Sequence, residues 1–138
     1  MPKSLQVLFR DAHAAVHAEV QTAVTRAGYS ELTPGHHTVL RNLGEQGARP
    51  HELAVQAGVS RQAITKTVDE LVRIGVVRRD PDAADGRGVI VRYTDRGLAG
   101  LAVARQQMDV IEERFAARVG AARWAEVRDV LDELFGDV

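Results

Sequence analysis

LAVQAGVSRQAITKTVDELVRIG, residues 53–75, decides the fold. Two short helical patterns meet here at a tight junction, which needs a small residue at the contact and a glycine at the turn; Ala54 and Gly58 supply them. Ser60 is a good N-cap for the second helix, which carries Ile64, Val68, Leu71 and Ile74 on one face and stops at Gly75. Arg61, Gln62, Thr65, Lys66 and Asp69 fall on the opposite face. The stretch reads as a helix-turn-helix with a polar face free to enter a groove. Its first helix starts after Arg49, with Pro50 in the first turn, and is too short to stand alone.

Downstream the periodicity changes. Val76-Val77-Arg78-Arg79 and Val89-Ile90-Val91-Arg92-Tyr93 are β-rich, and the turn-forming residues 81–88 join them into a hairpin with a long charged tip. Thr94 then caps a long helix carrying Leu98, Leu101, Met108, Ile111, Phe115 and Val119, and a final helix carries Trp124, Val127, Val130, Leu131, Leu134 and Phe135. Upstream, Leu5, Leu8, Ala12, Val16, Val20 and Val24 define an amphipathic first helix ending near Gly28. Thr33 and Pro34 open a short second helix, expected to stop at Gly47. The expected fold is mainly α with a small β-wing, a winged helix-turn-helix of order ααααββαα with a helical dimerisation region drawn from both termini.

The 138 residues, 45% of them apolar, suffice for one domain with its own core. Within this single chain, residues 1–30 and 96–138 are assigned to dimerisation and 33–95 to the winged helix-turn-helix lobe. Eighteen Lys+Arg against 19 Asp+Glu give a formal charge of -1, so attraction to phosphate must come from local charge. Residues 49–96 hold 9 basic and 7 acidic side chains, whereas 97–138 hold 5 and 8. The 16 Arg against 2 Lys suit phosphate recognition but also fit a coding bias. The absence of cysteine removes thiolate catalysis, Cys-ligated zinc and a disulfide-built secreted module. The sequence has no signal-peptide pattern at its start and no apolar run near the roughly 18–20 residues of a spanning helix. The expected location is cytoplasmic, with no membrane partner.

The chemistry is that of double-stranded DNA recognition. Arg61 and Gln62 have the donors and acceptors for base edges, Thr65 can touch base or phosphate, Lys66 can neutralise a phosphate, and Ser60 stands at the start of the same helix. A hairpin directly after a helix-turn-helix makes a wing. Arg78, Arg79, Arg87 and Arg92 place positive charge on it, and Arg87 at the tip can enter a narrow minor groove. Of Asp80, Asp82 and Asp85, at least one must pair with an arginine to avoid repelling phosphate, and Asp85 is the expected wing-stabilising residue. The terminal helices carry apolar stripes that would aggregate if left bare, which implies a homodimer and hence a pseudo-palindromic site with half-sites about one DNA turn, roughly 34 Å, or a multiple apart. No Gly-rich phosphate loop, nucleophile elbow or His-Glu-x-x-His helix appears, so no enzyme is expected and no cofactor is implied.

Leu32-Thr33-Pro34, Glu52-Leu53-Ala54, Gly58-Val59-Ser60, Val68-Asp69-Glu70-Leu71, Gly75-Val76-Val77-Arg78-Arg79, Asp85-Gly86-Arg87 and Thr94-Asp95-Arg96-Gly97 together resemble the MarR family of bacterial winged-helix transcriptional regulators over nearly the whole chain. The resemblance implies a nucleoid-associated homodimer built from helices 1, 5 and 6, with a wing Asp-x-Arg at Asp85 and Arg87 and a recognition helix within 60–74. Thr67, where an apolar residue is usual, and Tyr93, in place of the common Leu, depart from the pattern. Repression, with release by a small aromatic or phenolic anion, is also what the family implies. His13 and His17, one helical turn apart, with His37 and Arg41, are the candidate ligand-binding residues, since imidazole and guanidinium donate to anions. The alternatives are histidines with a structural or merely exposed role, a zinc-responsive regulator using the i, i+4 pair, and a winged helix that binds protein rather than DNA.

Overall fold

The computed structural model describes residues 1–136; Asp137 and Val138, the end of the stretch assigned to dimerisation, lie outside the described residues. The elements run α1 (Leu5–Arg26), α2 (Pro34–Asn42), α3 (Pro50–Ala57), α4 (Arg61–Ile74), β1 (Val77–Pro81), β2 (Val89–Tyr93), α5 (Asp95–Val119) and α6 (Ala121–Phe135). This is the expected ααααββαα winged-helix order. The chain forms two compact units, Met1–Val20 with the chain from Ala104 onward, and Gln21–Val103.

The unit 21–103 is the winged-helix lobe. Leu53 and Leu71 are fully buried, with Ile64, Val68, Val76, Val77 and Val91 beside them, so α3, α4 and both strands share one core. Gly58 ends α3 in the left-handed region at φ 68°, which a side chain would strain, and the Val59 amide returns to the Ala54 carbonyl at 3.0 Å. The junction between the two helices is thereby fixed. Ser60 Oγ accepts from the Ala63 amide at 3.1 Å and caps α4.

β1 and β2 pair antiparallel with Val77 opposite Tyr93 and Pro81 opposite Val89. The first strand extends past the expected Arg79 because this register continues through Asp80 and Pro81. Ala48 adds a one-residue bridge to Val91, so β2 has a partner on each side. The second helix ends at Asn42 rather than Gly47: Leu43 is extended and buried, and Gly47 instead makes a turn leading into the Ala48 bridge. Both departures from the family pattern are accommodated. Thr67 Oγ1 donates to the Ala63 carbonyl, and the buried Tyr93 donates its hydroxyl to the Leu40 carbonyl at 2.8 Å. At the start of α5, a Cβ on Gly97 would collide with the Val76 carbonyl oxygen, so only glycine allows that close approach.

In the other unit, Phe115 packs edge-on against Trp124 at 5.1 Å, and the Trp124 indole donates to Glu112. Glu19 accepts from Gln107 and Arg114, and Phe9 meets Phe135 at 6.1 Å. Large apolar side chains nonetheless stay open to solvent: Leu5 is 65% exposed, Leu8 50%, Val130 52% and Leu134 63%.

Candidate nucleic-acid interface

The helical period carries Ile64, Val68 and Leu71 into the core and leaves Arg61, Gln62, Thr65 and Lys66 exposed on the outer face of α4. Arg61, Gln62 and Lys66 make no side-chain hydrogen bond among the described residues. Their donors are available to a ligand. Thr65 Oγ1 donates to the Arg61 carbonyl at 2.9 Å, which leaves its methyl group and oxygen lone pairs facing out. Ser60 is committed to its cap.

The wing arginines have different fates. Arg78 and Arg92 stand directly opposite each other across the two strands, an arrangement that repels, and Asp80 lies between them at 3.0 and 3.3 Å. Arg79 pairs with Asp69 of α4 at 2.5 Å, tying the wing to the recognition face. Arg87 alone of the four is exposed at the tip with no carboxylate partner among the described residues.

The buried carboxylate of the wing is Asp82, not Asp85. Asp82 is 5% exposed; it accepts from Arg49 Nε at 2.7 Å and from the Ala84 amide at 3.0 Å. The Arg49 guanidinium, with that amide, holds the Asp82 carboxyl below the usual carboxylate range, and the aspartate in turn raises Arg49. Arg49 is the N-cap residue of α3, so this ion pair fastens the wing to the start of the helix-turn-helix. Asp85 was the expected internal partner of an arginine. It instead sits exposed in the tip, where its carboxylate accepts the Arg87 amide at 3.1 Å and its carbonyl accepts the Gly88 amide at 2.9 Å. Asp82 takes the hydrogen bond from Arg49 and anchors the base, whereas Asp85 adds only its charge at Arg49 and shapes the backbone that presents Arg87. A cleft of about 320 Å³ lies between the start of α3, α4 and the wing, with Arg49, His51, Arg61, Thr65, Asp82 and Asp85 among its lining.

Sequence reasoning missed Arg49. The residue is 33 positions from Asp82, and nothing local marks the pair. It also passed over His36, buried at 4% exposure, in favour of its neighbour His37. The missed signal was periodic, since His36 lies one turn, i to i+3, before the buried Val39 on the same helix.

The candidate ligand residues are divided between the units. His13 and His17 stack with their rings 5.6 Å apart on the α1 stretch of one unit, and His37 and Arg41 lie a turn apart on α2 in the other. Among the described residues, no three His, Cys, Asp or Glu side chains gather as a metal site, and no helix is long and apolar enough to cross a membrane.

A family profile described as MarR family matches residues 30–88. The chain is 30% identical over 125 residues to an HTH-type transcriptional repressor of Mycobacterium bovis, covering 90% of this chain and 88% of that protein. Its fold is similar to the crystal structure of a transcriptional regulator of Thermotoga maritima, with a TM-score of 0.71 at 26% identity over 95% of this chain and 91% of that one. It also superposes on the Multiple Antibiotic Resistance Repressor, MarR, with a TM-score of 0.75 at 21% identity, over 98% and 97% of the two chains, a likeness of fold.

Proposed function

The chain belongs to the MarR family of winged-helix transcriptional regulators, which are non-enzymatic transcription factors, and on that footing we propose that it is a homodimeric repressor that binds a pseudo-palindromic operator. The observation that carries this reading is the contrast in side-chain commitment across one surface. Arg78, Arg79 and Arg92 are engaged within the lobe, while the side chains of Arg61, Gln62, Lys66 and Arg87 are exposed and make no hydrogen bond or close ion pair among the described residues. In this reading α4 enters the major groove, with Arg61 and Gln62 at base edges and Thr65 and Lys66 at bases or phosphates. Ser60 fixes the start of α4 through its cap and stands beside the phosphate backbone. Arg87, presented by the Asp85 turn, reaches the adjacent minor groove.

The homodimer covers the apolar side chains that α1 and α6 leave exposed, Leu5, Leu8, Val130 and Leu134 among them. In the chain's organisation, 1–30 and 96–138 then serve dimerisation and 33–95 serves DNA. A twofold axis repeats α4 and makes the operator an inverted repeat. Release by a small aromatic or phenolic anion, for which His13 and His17 of one unit and His37 and Arg41 of the other are the candidate donors, rests on their capacity to donate to a carboxylate or phenolate. Such a ligand acts only if it binds better to a dimer whose recognition helices are wrongly spaced.

Selection of bound duplexes from random-sequence DNA tests the operator claim. Two inverted half-sites separated centre to centre by about one helical turn, or a multiple, are expected. Recovery of no enriched sequence would contradict the proposal.

A further inference from the structure

Asp82 and His36 are the two buried polar or charged side chains among the described residues. Asp82 anchors the wing; His36 touches no part of the proposed DNA face. Its ring is nevertheless fully engaged. The Thr33 amide, a donor only, points at Nδ1 from 3.0 Å, so Nδ1 must be the acceptor and the ring proton sits on Nε2. Nε2 then donates to Glu70 Oε2 at 2.6 Å. Thr33 Oγ1 completes a capping box by accepting the His36 amide at 3.2 Å. The imidazole therefore joins the first turn of α2 to Glu70, which lies on the recognition helix one turn beyond Lys66.

We propose that His36 is a positioning residue for DNA recognition, a neutral tether that fixes α4 against α2 and holds the Glu70 carboxylate toward α2. The inference rests on the DNA reading given above for α4. The recognition helix packs through one apolar face, which resists separation better than sliding or rotation along its axis, and its Asp69 is tied on the wing side by Arg79, so a restraint on the α2 side is left to Glu70. A directed, charge-assisted hydrogen bond from a buried ring supplies that directional restraint. The bond also has an electrostatic consequence. Glu70 lies at i+4 from Lys66 and three residues before Arg73, and both charges already act on its carboxylate, so a carboxylate released from His36 is free to pair more closely with the ammonium proposed to neutralise a phosphate.

The test compares the wild type with His36→Ala and His36→Gln, each shown by thermal melting to be folded at the assay temperature. Glutamine is the conservative variant, because its amide oxygen can accept from the Thr33 amide while its NH2 donates to Glu70. The DNA probes are the duplex that the wild type enriches from random sequence and a scrambled duplex of equal length. Amide hydrogen exchange over residues 61–74 of the free protein is the readout that needs no DNA. His36→Ala should lose about tenfold in the ratio of the two affinities, with scrambled-duplex binding within about twofold of wild type, and should exchange faster over α4. His36→Gln should restore both. A folded His36→Ala variant with unchanged affinity ratio and unchanged α4 exchange would overturn the tether. If the wild type enriches no sequence, the DNA reading falls separately, and unchanged α4 exchange in His36→Ala still overturns the tether.

Discussion

Arg87 stands at the tip of a wing whose other arginines are engaged within the lobe, so the wing's contribution to binding should be that of a single cation. Arg87→Ala is expected to weaken DNA binding and to reduce the slope of log affinity against log salt by about 0.9, the release of one counterion; anisotropy titrations at several salt concentrations measure it. Gln62→Ala should behave differently, relaxing preference at one base position by about 1–3 kcal/mol if its contact is bidentate, with little effect on scrambled DNA. Equal losses on every sequence would refute base readout. Asp82 acts through structure. Because its carboxyl is held below the usual range in the fold, the stability it contributes is present above an unfolded pKa of about 3.9 and is lost as pH falls through the lower native value. Asp82→Asn should therefore unfold at a lower temperature than wild type near neutrality, with the gap shrinking below about pH 4 in melts across pH. A constant gap would assign its role to shape rather than charge. The exposed face of α4 was legible from residues alone, since period and polarity agree there. The Arg49–Asp82 and His36–Glu70 pairs were not, because each joins residues more than 30 positions apart and such side-chain contacts have no sequence period.

Elements were legible in proportion to how strongly local chemistry marks their ends. Gly58 and Ser60 terminate and start helices by backbone and capping requirements, and both act where the sequence places them. The end of α2 was misplaced because Leu43 continues the apolar period although its backbone is already extended; its burial comes from the lobe core, not from helix. The Ala48 bridge is a single residue and carries no alternation to read. Since α3 and α4 are held mainly through a shared core, truncating that core should be costly. Leu71→Ala, at a fully buried position, is expected to lose about 2–5 kcal/mol in urea unfolding, against about 1 kcal/mol for removing the α4 cap in Ser60→Ala. Comparable losses for the two would mean that capping rather than packing holds the recognition helix.

For the molecule as a whole, the open apolar side chains on α1 and α6 have their simplest account in a second copy of the chain. Val130→Asp with Leu134→Asp places charges at positions already 52% and 63% exposed, so the protomer should stay folded while the dimer dissociates. Sedimentation velocity is expected to show wild-type dimer and variant monomer, and operator affinity should fall with the loss of the second α4. A wild-type monomer would refute the symmetric reading. The central claim, sequence-specific binding through α4 and the Arg87 wing, is tested most directly by titrating the wild type at near-physiological salt against its selected duplex and a scrambled duplex of equal length. The account predicts a preference of about 10³ or more for the selected duplex; equal, weak binding to both would contradict it.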